Sequence, residues 1–299
     1  MAEIWKKVYK KMTDTTRKTG RFLSSALPHS EKVDADAVTL AVVAIIKNEA
    51  AYIEEWVKYH ILVGVERFYL YDNGSTDETR TLLAPYIQKG LIVLKEFPGQ
   101  KRQLPAYNDA IKNYKHQTRY MAFIDADEFL FSCEPDKSVR QEVEEMFSEY
   151  PNAGGFAINW RMFGSSGHVK KPEGGVLENF LYRAKEDKRG NRCIKTIADP
   201  RRIYQYAHSH YPTYYRGYYS LDERGNRVDD WGNTAEVIKR IRINHYYTKS
   251  EEEWVARRKL GRVDGKGDAN RSIEDFHAYD YSDIYDDGML PFVEKIKKM

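Results

Sequence analysis

Apolar runs and helical segments alternate four times in the first half of the chain. The first run, residues 38–46, is a continuous β-branched stretch, which is typical of a strand buried on both faces of a sheet. Further runs cover residues 67–71 and 91–94, and a fourth run ends at Asp125. Helical spacing of apolar residues separates the runs, for example over residues 104–114. Strands that alternate with helices predict an α/β fold with a parallel, Rossmann-like sheet.

Two carboxylates stand one residue apart where the fourth run ends, at Asp125 and Asp127. Ligands of open α/β sheets bind outside the carboxyl ends of the strands. Carboxylates suit hard divalent cations such as Mg²⁺ or Mn²⁺, which keep several waters and take further ligands from phosphates. The pair therefore predicts a metal bound to a diphosphate. A second copy of the pattern, Asp34 and Asp36, precedes the first strand, and we interpret it as a solvated linker.

Polar residues also follow the first two strands. Residues 47–49 break the first strand, and residues 72–79 follow the second. Ser75 and Glu78 have the spacing of a capping box that starts the next helix. The chain has neither a glycine-rich dinucleotide loop nor a phosphate-loop lysine motif. Hydride transfer and nucleoside-triphosphate hydrolysis are therefore disfavoured.

Composition limits the size of the core, the kind of partner and the cellular location. A chain of 299 residues, of which 41% are hydrophobic, can bury one large core or two smaller ones. The 48 basic and 45 acidic residues balance too closely to indicate a nucleic-acid partner. Cys133 and Cys193 form neither a disulfide framework nor a zinc spacing, which favours a reducing, cytoplasmic location. No apolar run reaches the ~20 residues that a membrane span needs.

The sequence predicts three regions. Residues 1–36 form a basic amphipathic N-terminal segment, whose first 32 residues either contact the inner membrane surface or pack on the chain's own domain or a partner. Residues 37–265 form the main domain, divided into a first half, 37–131, and a second half, 132–265. Residues 266–299 form an acidic and aromatic C-terminal tail that either folds over the site or coats the surface. Oligomeric state is not predicted.

The second half is rich in tyrosine and histidine. Ser250 and Glu253 have the spacing of a helix cap, and the basic residues 257–259 stand near the end of that helix, where they complement its dipole. Aromatic side chains stack on apolar ring faces of ligands, so Trp160, Tyr211 and Trp231 are candidates for a ligand-binding platform. Packing in the core is the alternative interpretation of each.

Several motifs in a fixed order resemble those of glycosyltransferases with the GT-A fold, near family 2 and most similar to family 92. The resemblance covers about residues 40–265. Its motifs are Ile-Lys-Asn-Glu-Ala (46–50) with Glu55, Trp56 and His60, Tyr-Asp-Asn-Gly-Ser-Thr-Asp (71–77), Phe-Ile-Asp-Ala-Asp-Glu-Phe (123–129), Asn-Trp-Arg-Met-Phe-Gly-Ser-Ser-Gly-His (159–168) and Ile-Asn-His-Tyr-Tyr-Thr-Lys-Ser (243–250). The resemblance implies a Rossmann-like mixed sheet flanked by helices, with an extension on the acceptor side. It makes residues 37–131 the nucleotide-sugar half and residues 132–265 the acceptor half, in which Trp160, Tyr211 and Trp231 would stack on an acceptor sugar.

The resemblance also implies a donor site. Asp72 would meet the uracil or ribose of a UDP-sugar, and Asp125 and Asp127 would bind ribose and metal. His245 would complete the metal shell, with a satisfied histidine near the core as the alternative. The matching motif places Asn48 and Glu49 among the nucleotide-binding residues. Lys195 and Lys249 could reach phosphate as point charges, or be ordinary solvated lysines.

The catalytic base has three candidates. Inverting members of the fold place a carboxylate on a helix that faces the acceptor, but Asn179 stands where family 2 commonly has Asp. Glu178, His168 and Asp222 are the candidates for this role, and each has a structural role as its alternative. Inversion at the anomeric carbon is what the resemblance implies.

The leading hypothesis is a metal-dependent glycosyltransferase that moves a hexose from a UDP-sugar to a hydroxyl of a glycan or lipid-linked glycan, in surface polysaccharide synthesis. A catalytically silent glycan-binding or scaffolding module on the same fold is the alternative from another class. A sugar-phosphate nucleotidyltransferase is the second enzyme alternative, but it needs a glycine-rich loop after the first strand, where this chain has residues 47–50.

Overall fold

The computed structural model describes residues 30–230, 237–260 and 272–299. The strands are β1 Val38–Ile46, β2 Arg67–Asp72, β3 Ile92–Glu96, β4 Thr118–Phe123, β5 Glu128–Ser132, β6 Ala153–Met162, β7 Tyr182–Arg183, β8 Ile194–Ala198, β9 Ile203–Tyr206, β10 Pro212–Tyr214, β11 Tyr219–Leu221, β12 Arg227–Val228, β13 Ile241–His245 and β14 Ile284–Tyr285. The helices are α1 Ile53–Leu62, α2 Thr79–Gln88, α3 Gln103–Tyr114, α4 Val139–Glu149, α5 Val176–Asn179, α6 Glu251–Leu260, α7 Ile273–Tyr279 and α8 Leu290–Lys297.

The central sheet has a parallel half and a mixed half. In the order β3-β2-β1-β4, neighbouring strands run parallel, which is the arrangement that the four strand and helix units predicted. Beyond β4 the sheet continues through β8, which is antiparallel to both β4 and β6. Strand β13 joins the sheet between β6, to which it is parallel, and β5, to which it is antiparallel. The predicted mixed, Rossmann-like sheet with flanking helices is confirmed.

Strand β1 is buried on both faces, as its unbroken apolar sequence predicted. Leu40, Val42 and Ala44 face one hydrophobic cluster, which packs against α1, and Val43 faces the other, which packs against α3. A strand covered by helices on both sides has no solvent-facing row, so polar residues are confined to its ends. The functional side chains therefore collect at the edge where the parallel strands end.

The start of α2 differs from its prediction. The helix begins at Thr79, and its N-cap residue Glu78 makes no side-chain cap. Ser75 donates its hydroxyl to Asp72 Oδ1 at 2.6 Å instead, because the buried Asp72 carboxylate needs hydrogen-bond donors. Asp77 accepts from the Thr79 amide in the place of the expected cap. The predicted capping box of Ser250 and Glu253 at α6 is confirmed.

The C-terminal residues 272–299 pack against the domain. Asp280 accepts hydrogen bonds from the amide and hydroxyl of Ser165, and Asp286 pairs with Arg183 and Arg242. Strand β14 pairs with β7, and a Cβ on Gly164 would collide with the backbone of the same segment. Residues 280–282 therefore pack against one side of the loop 164–168. The predicted boundary at 265/266 lies outside the described residues.

Two further predictions concern regions that the structure does not describe. Most of the basic amphipathic segment, residues 1–29, lies outside the described residues, so its contact with a membrane surface stays a prediction. Trp231 also lies outside them. Across the described ranges, no helix combines the length and the apolar character needed to cross a bilayer.

Candidate functional site

Strand ends bring the predicted donor residues to one edge of the sheet. Ile46 at the end of β1 lies opposite Asp72 at the end of β2, and Phe123 at the end of β4 lies opposite Val43, three residues before the end of β1. Asp125 and Asp127 follow β4 at once. Because these strands are parallel, their carboxyl ends open on the same side, which is where α/β proteins bind ligands.

Asp72 organises the loop that follows β2. Its carboxylate is buried, accepts from the Ser75 amide at 2.9 Å, and pairs with Arg80. Ser75 in turn accepts from the backbone amide of Asn48 at 3.0 Å. Asn48 has a positive φ of 53°, and its side-chain oxygen accepts from the Thr76 amide at 2.8 Å. The segments around Asn48 and Asp72 thus interlock into one polar loop at the sheet edge.

Three neighbouring side chains contact the Asp125 carboxylate. Gln103 donates to its Oδ1 at 2.8 Å, with the Tyr107 hydroxyl more distant at 3.5 Å. Lys195 Nζ lies 2.8 Å from its Oδ2. The carboxylate is therefore oriented before any ligand arrives, as a residue that must present an oxygen to ribose or metal requires.

Lys195 has more than one carboxylate partner. It is 1% exposed, and its Nζ also lies 3.7 Å from Glu128 Oε2. Burial raises the pKa of Glu128 well above its usual range, and Asp125 and Asp127 raise it further against the opposing charge of Lys195. The phosphate contact of Lys195 stays a prediction. In the structure its charge balances the Asp125 and Glu128 carboxylates.

Asp127 sits between an imidazole and a guanidinium. Its Oδ1 lies 3.6 Å from His245 Nε2, and its Oδ2 accepts from Arg257 Nη1 at 2.9 Å. Burial opposes ionisation, but His245, Arg257 and Lys249 together hold the pKa of Asp127 well below its usual range. Asp127 is therefore a permanent anion at neutral pH.

His245 reaches Asp127 because of how β13 is paired. In the ladder with β5, His245 lies opposite Glu128, which places its ring beside the Asp125–Asp127 segment. The ring packs on Trp160, with centroids 4.3 Å apart. Its Nδ1 is buried and has no partner within the described part of the chain. A buried imidazole nitrogen without a partner is a candidate for water or ligand binding.

Glu49 and Lys249 complete the charged edge. Glu49 lies 3.6 Å from Arg257 Nη2, and burial raises its pKa against the opposing charges of Arg257 and Lys249. Lys249 is buried, has a φ of 52°, and its Nζ lies 4.4 Å from the Tyr52 ring centroid. Burial, together with the charge of Arg257, lowers the pKa of Lys249 to about 8. The cations Arg257 and Lys249 thus lie near the carboxylates of Asp127 and Glu49.

The three candidate bases lie in other surroundings. Glu178 accepts from the Gly175 amide at 3.0 Å and from Lys297 at 2.7 Å; Lys297 and Gly175 lower its pKa. Asp222 accepts from backbone amides within its own turn between β11 and β12. His168 Nε2 lies 3.1 Å from the Asn179 carbonyl oxygen.

His168 is the candidate whose loop reaches the donor side, because its carbonyl accepts from the Glu251 amide at the start of α6. Across the described residues, no hydrogen bond or ion pair joins Glu178, His168 or Asp222 to Asp125, Asp127 or His245. The structure thus brings together the predicted donor residues and leaves the predicted bases outside their network.

Sequence reasoning missed Arg257 and Gln103 as site residues. It assigned Arg257 to the basic end of a helix, which α6 does have, but the side chain turns toward Asp127 and Glu49. Gln103 begins α3, and the only sequence signal was its place in the helix after β3. Both contacts join segments far apart in sequence, about 130 and 22 residues respectively.

Metal-binding potential at this edge rests on few protein ligands. Over the part of the chain that the structure describes, no group of three or more His, Cys, Asp or Glu side chains is arranged to hold a metal. Asp127 and His245 are the one carboxylate and imidazole pair that the Asp-x-Asp motif brings together. A cation here would need further ligands from substrate and water, which is how Mg²⁺ and Mn²⁺ are commonly bound beside phosphates.

Fold and site together define an α/β protein with a charged ligand site at the carboxyl ends of parallel strands. The chain belongs to glycosyltransferase family 92, whose family model matches residues 38–261. The predicted similarity to a glycosyltransferase of family 92 is therefore confirmed.

Curated relatives include proteins named for family 92 and galactan galactosyltransferases. A glycosyltransferase family 92 protein of Oryza sativa subsp. japonica is 24% identical over 265 residues, covering 87% of this chain and 45% of the relative. Galactan beta-1,4-galactosyltransferase GALS3 of Arabidopsis thaliana is 33% identical over 108 residues, covering 33% of this chain and 21% of the relative. The chain thus spans less than half the length of these curated relatives.

Two solved structures share limited similarity with the chain. TarS of S. aureus, residues 1–349, has 12% identity and a TM-score of 0.40, covering 75% of this chain and 64% of TarS. Mannosyltransferase PcManGT from Pyrobaculum calidifontis, solved in complex with GDP-Man and Mn²⁺, has 20% identity and a TM-score of 0.33. That match covers 47% of this chain and 41% of PcManGT.

Proposed function

We propose that the chain is a metal-dependent hexosyltransferase that moves a hexose from a UDP-sugar, with inversion, to a hydroxyl of a glycan or lipid-linked glycan in surface polysaccharide synthesis. Membership of glycosyltransferase family 92 supports the reaction class. The 33% identity to a galactan galactosyltransferase over 108 residues supports a hexose as the transferred sugar. The observation that carries the proposal is the pairing of Asp127 with His245 at the sheet edge.

The side chains present fit a divalent cation. A carboxylate oxygen and an imidazole nitrogen 3.6 Å apart form a mixed oxygen and nitrogen donor pair that suits Mn²⁺, and the depressed pKa of Asp127 keeps its carboxylate charged. The Asp125 carboxylate stands one residue away and is already oriented. In our proposal Asp127 and His245 hold the metal, and Asp125 contacts ribose or supports the metal. Bound there, the metal would neutralise charge on the departing diphosphate.

Side chains of this chain would bind the donor and stabilise the charge that develops during transfer. The bond between the anomeric carbon and the diphosphate oxygen breaks, while the acceptor oxygen bonds to that carbon from the opposite face and loses its proton. Lys249 and Arg257 place positive charge beside the departing diphosphate. Asp72 and Asn48 shape the loop that would receive the uridine, since they fix each other's segments through Ser75.

Of the three candidate bases, His168 is the one we place first. Its loop contacts α6 through the Glu251 amide, and α6 carries Arg257. The same loop is backed by the C-terminal residues Asp280 and Ser282, so its backbone is fixed from behind. An acceptor hydroxyl that approaches between this loop and Asp127 would meet the His168 imidazole as its proton acceptor.

Trp160 is the best-placed aromatic for the acceptor. Its ring packs on His245, and its Nε1 is buried without a partner among the described residues. A ring face with a nearby donor matches the apolar face and hydroxyls of a sugar. Tyr211 stacks on His208 with centroids 5.0 Å apart, so its ring belongs to an adjacent cluster.

A transfer assay tests the proposal. Purified protein is incubated with MnCl₂ and each of a panel of UDP-hexoses, with and without oligosaccharide acceptors, and released UDP and glycan product are both measured. We expect acceptor-dependent UDP release with one or few donors, lost in Asp127→Asn. Asp36→Asn is the matched control, because Asp36 belongs to the other Asp-x-Asp pattern and is exposed.

Two results would contradict the proposal. UDP release that is the same in Asp127→Asn and in the natural protein would remove Asp127 from the site. Absence of transfer from every donor, together with retained glycan binding, would favour the silent glycan-binding module instead.

A further inference from the structure

The Arg257 guanidinium lies between the carboxylates of Asp127 and Glu49. Its Nη1 lies 2.9 Å from Asp127 Oδ2, and its Nη2 lies 3.6 Å from Glu49 Oε2. The side chain is 19% exposed, so part of it is accessible to solvent. Arg257 is thus a single cation shared by two anions and reachable by a third.

Charge balance at this edge depends on what is bound. Asp127 and Glu49 supply two carboxylates, and Arg257 and Lys249 are the cations that face them. A divalent cation between Asp127 Oδ1 and His245 would share this carboxylate with Arg257, which binds Oδ2, and repulsion between the two cations would weaken the pairing of Arg257 with Asp127. A diphosphate would supply the missing anion, and the planar fork of an arginine matches phosphate oxygens in two hydrogen bonds.

We propose that Arg257 is a diphosphate-binding residue that holds Asp127 only while the site is empty, and that it exchanges Asp127 for the donor diphosphate when the metal binds. The proposal rests on the proposed function, since it takes the metal and the UDP-sugar from there. It adds that the metal and the UDP-sugar bind cooperatively. The metal releases Arg257 for the diphosphate, and the diphosphate keeps Arg257 away from the metal's carboxylate.

Coupling of this kind has a measurable signature. Mn²⁺ alone must displace a guanidinium from Asp127, and UDP alone meets an Arg257 that is engaged elsewhere, so each binds weakly by itself. Together they bind more tightly, and by linkage each raises the affinity of the other by the same factor. We expect a factor of about tenfold or more, within the range that coupled sites commonly show.

Calorimetry separates this proposal from a merely structural role for Arg257. MnCl₂ is titrated into the protein without and with saturating UDP, and UDP without and with saturating MnCl₂. The natural protein is compared with Arg257→Gln, which removes the charge, and with Arg257→Lys, which keeps the charge and loses the fork. Arg227→Gln is the matched control, because Arg227 pairs with Asp229 on an exposed strand, 48% exposed itself. Thermal melts check that each variant is folded.

In Arg257→Gln we expect Mn²⁺ alone to bind about tenfold more tightly and UDP to bind more weakly, so that the coupling between them largely disappears. Arg257→Lys should keep weak binding of Mn²⁺ alone and lose part of the UDP affinity, since a lysine is a point charge without the fork. Arg227→Gln should leave every affinity unchanged.

The proposal is overturned if Arg257→Gln binds Mn²⁺ alone no more tightly than the natural protein while the coupling with UDP persists. That outcome leaves the proposed function standing. If the natural protein binds neither MnCl₂ nor UDP in any combination, the proposed donor site itself fails, and the role of Arg257 fails with it.

Discussion

Replacing Lys195 by methionine tests the charge network that orients Asp125. Lys195 is 1% exposed, and its Nζ lies 2.8 Å from Asp125 and 3.7 Å from Glu128. Removing one partner of a buried ion pair commonly costs about 3–5 kcal/mol, because the remaining charge stays buried without compensation. Asp125 is 34% exposed and can be hydrated, so the cost should lie at the lower end, about 3 kcal/mol.

Glu128 sets the pH dependence of this loss. Its pKa is already raised by burial, and Lys195 is the charge that opposes the rise. Without Lys195 the folded-state pKa of Glu128 moves further above the unfolded value of 4.5. A raised folded pKa contributes stability at low pH that is lost as pH rises. The destabilisation of Lys195→Met should therefore shrink as pH falls, because Glu128 takes up a proton.

Equilibrium unfolding in urea at pH 7 and pH 5.5 measures both effects. Glu128→Gln is the companion variant, because a glutamine keeps an oxygen for the Asp125 amide and carries no charge. The double variant Lys195→Met with Glu128→Gln should lose less stability than the sum of the two single variants, by about 1 kcal/mol or more. A loss below about 1 kcal/mol for Lys195→Met, with the same value at both pH values, would show that the pairing of Lys195 with Asp125 and Glu128 does not stabilise the fold.

Two further predictions address the fold and the base. Burial lowers the pKa of His60 to about 3, while its ring donates to Trp56 O and accepts from Leu130 N. Because the unfolded state takes up a proton near pH 6.5 and the folded state does not, stability is lost as pH falls below 6.5, by about 2 kcal/mol at pH 5. Urea unfolding of His60→Gln should have a flatter profile, and an unchanged acid loss would count against this assignment. In transfer assays His168→Asn should lower turnover about a hundredfold or more, whereas Asp222→Asn should keep it within about twofold, because the Asp222 carboxylate serves its own turn. The reverse order of effects would move the base to Asp222.

The parallel half of the sheet could be predicted from sequence because its physics is local. A strand buried on both faces must be apolar throughout, so β1 was predicted with the bounds that it has. Polar residues of such a strand are confined to its ends, which is why Asp72, Asp125 and Asp127 could be assigned to the sheet edge. Strand ends meet in space whenever the strands are parallel neighbours.

The electrostatic partners of these residues could not be predicted in the same way. Arg257 meets Asp127 across about 130 residues, and Lys195 meets Asp125 across 70, through strand pairings that no local pattern encodes. The Ser75 side chain had two competing partners, a helix amide from which its oxygen could accept and the buried Asp72 carboxylate to which its hydroxyl could donate, and it donates to the buried carboxylate. Long-range competition for hydrogen bonds is therefore where sequence interpretation and structure differ.

In the proposed function, Asp127 and His245 form a metal site that recruits a uridine diphosphate. Its most direct test is the affinity for UDP, measured by calorimetry with and without MnCl₂, in the natural protein, Asp127→Ala and Asp36→Ala. We expect Mn²⁺ to strengthen UDP binding in the natural protein and in Asp36→Ala, and Asp127→Ala to lose at least about tenfold of that affinity. UDP binding that ignores Mn²⁺ and is equal in all three proteins would contradict the claim.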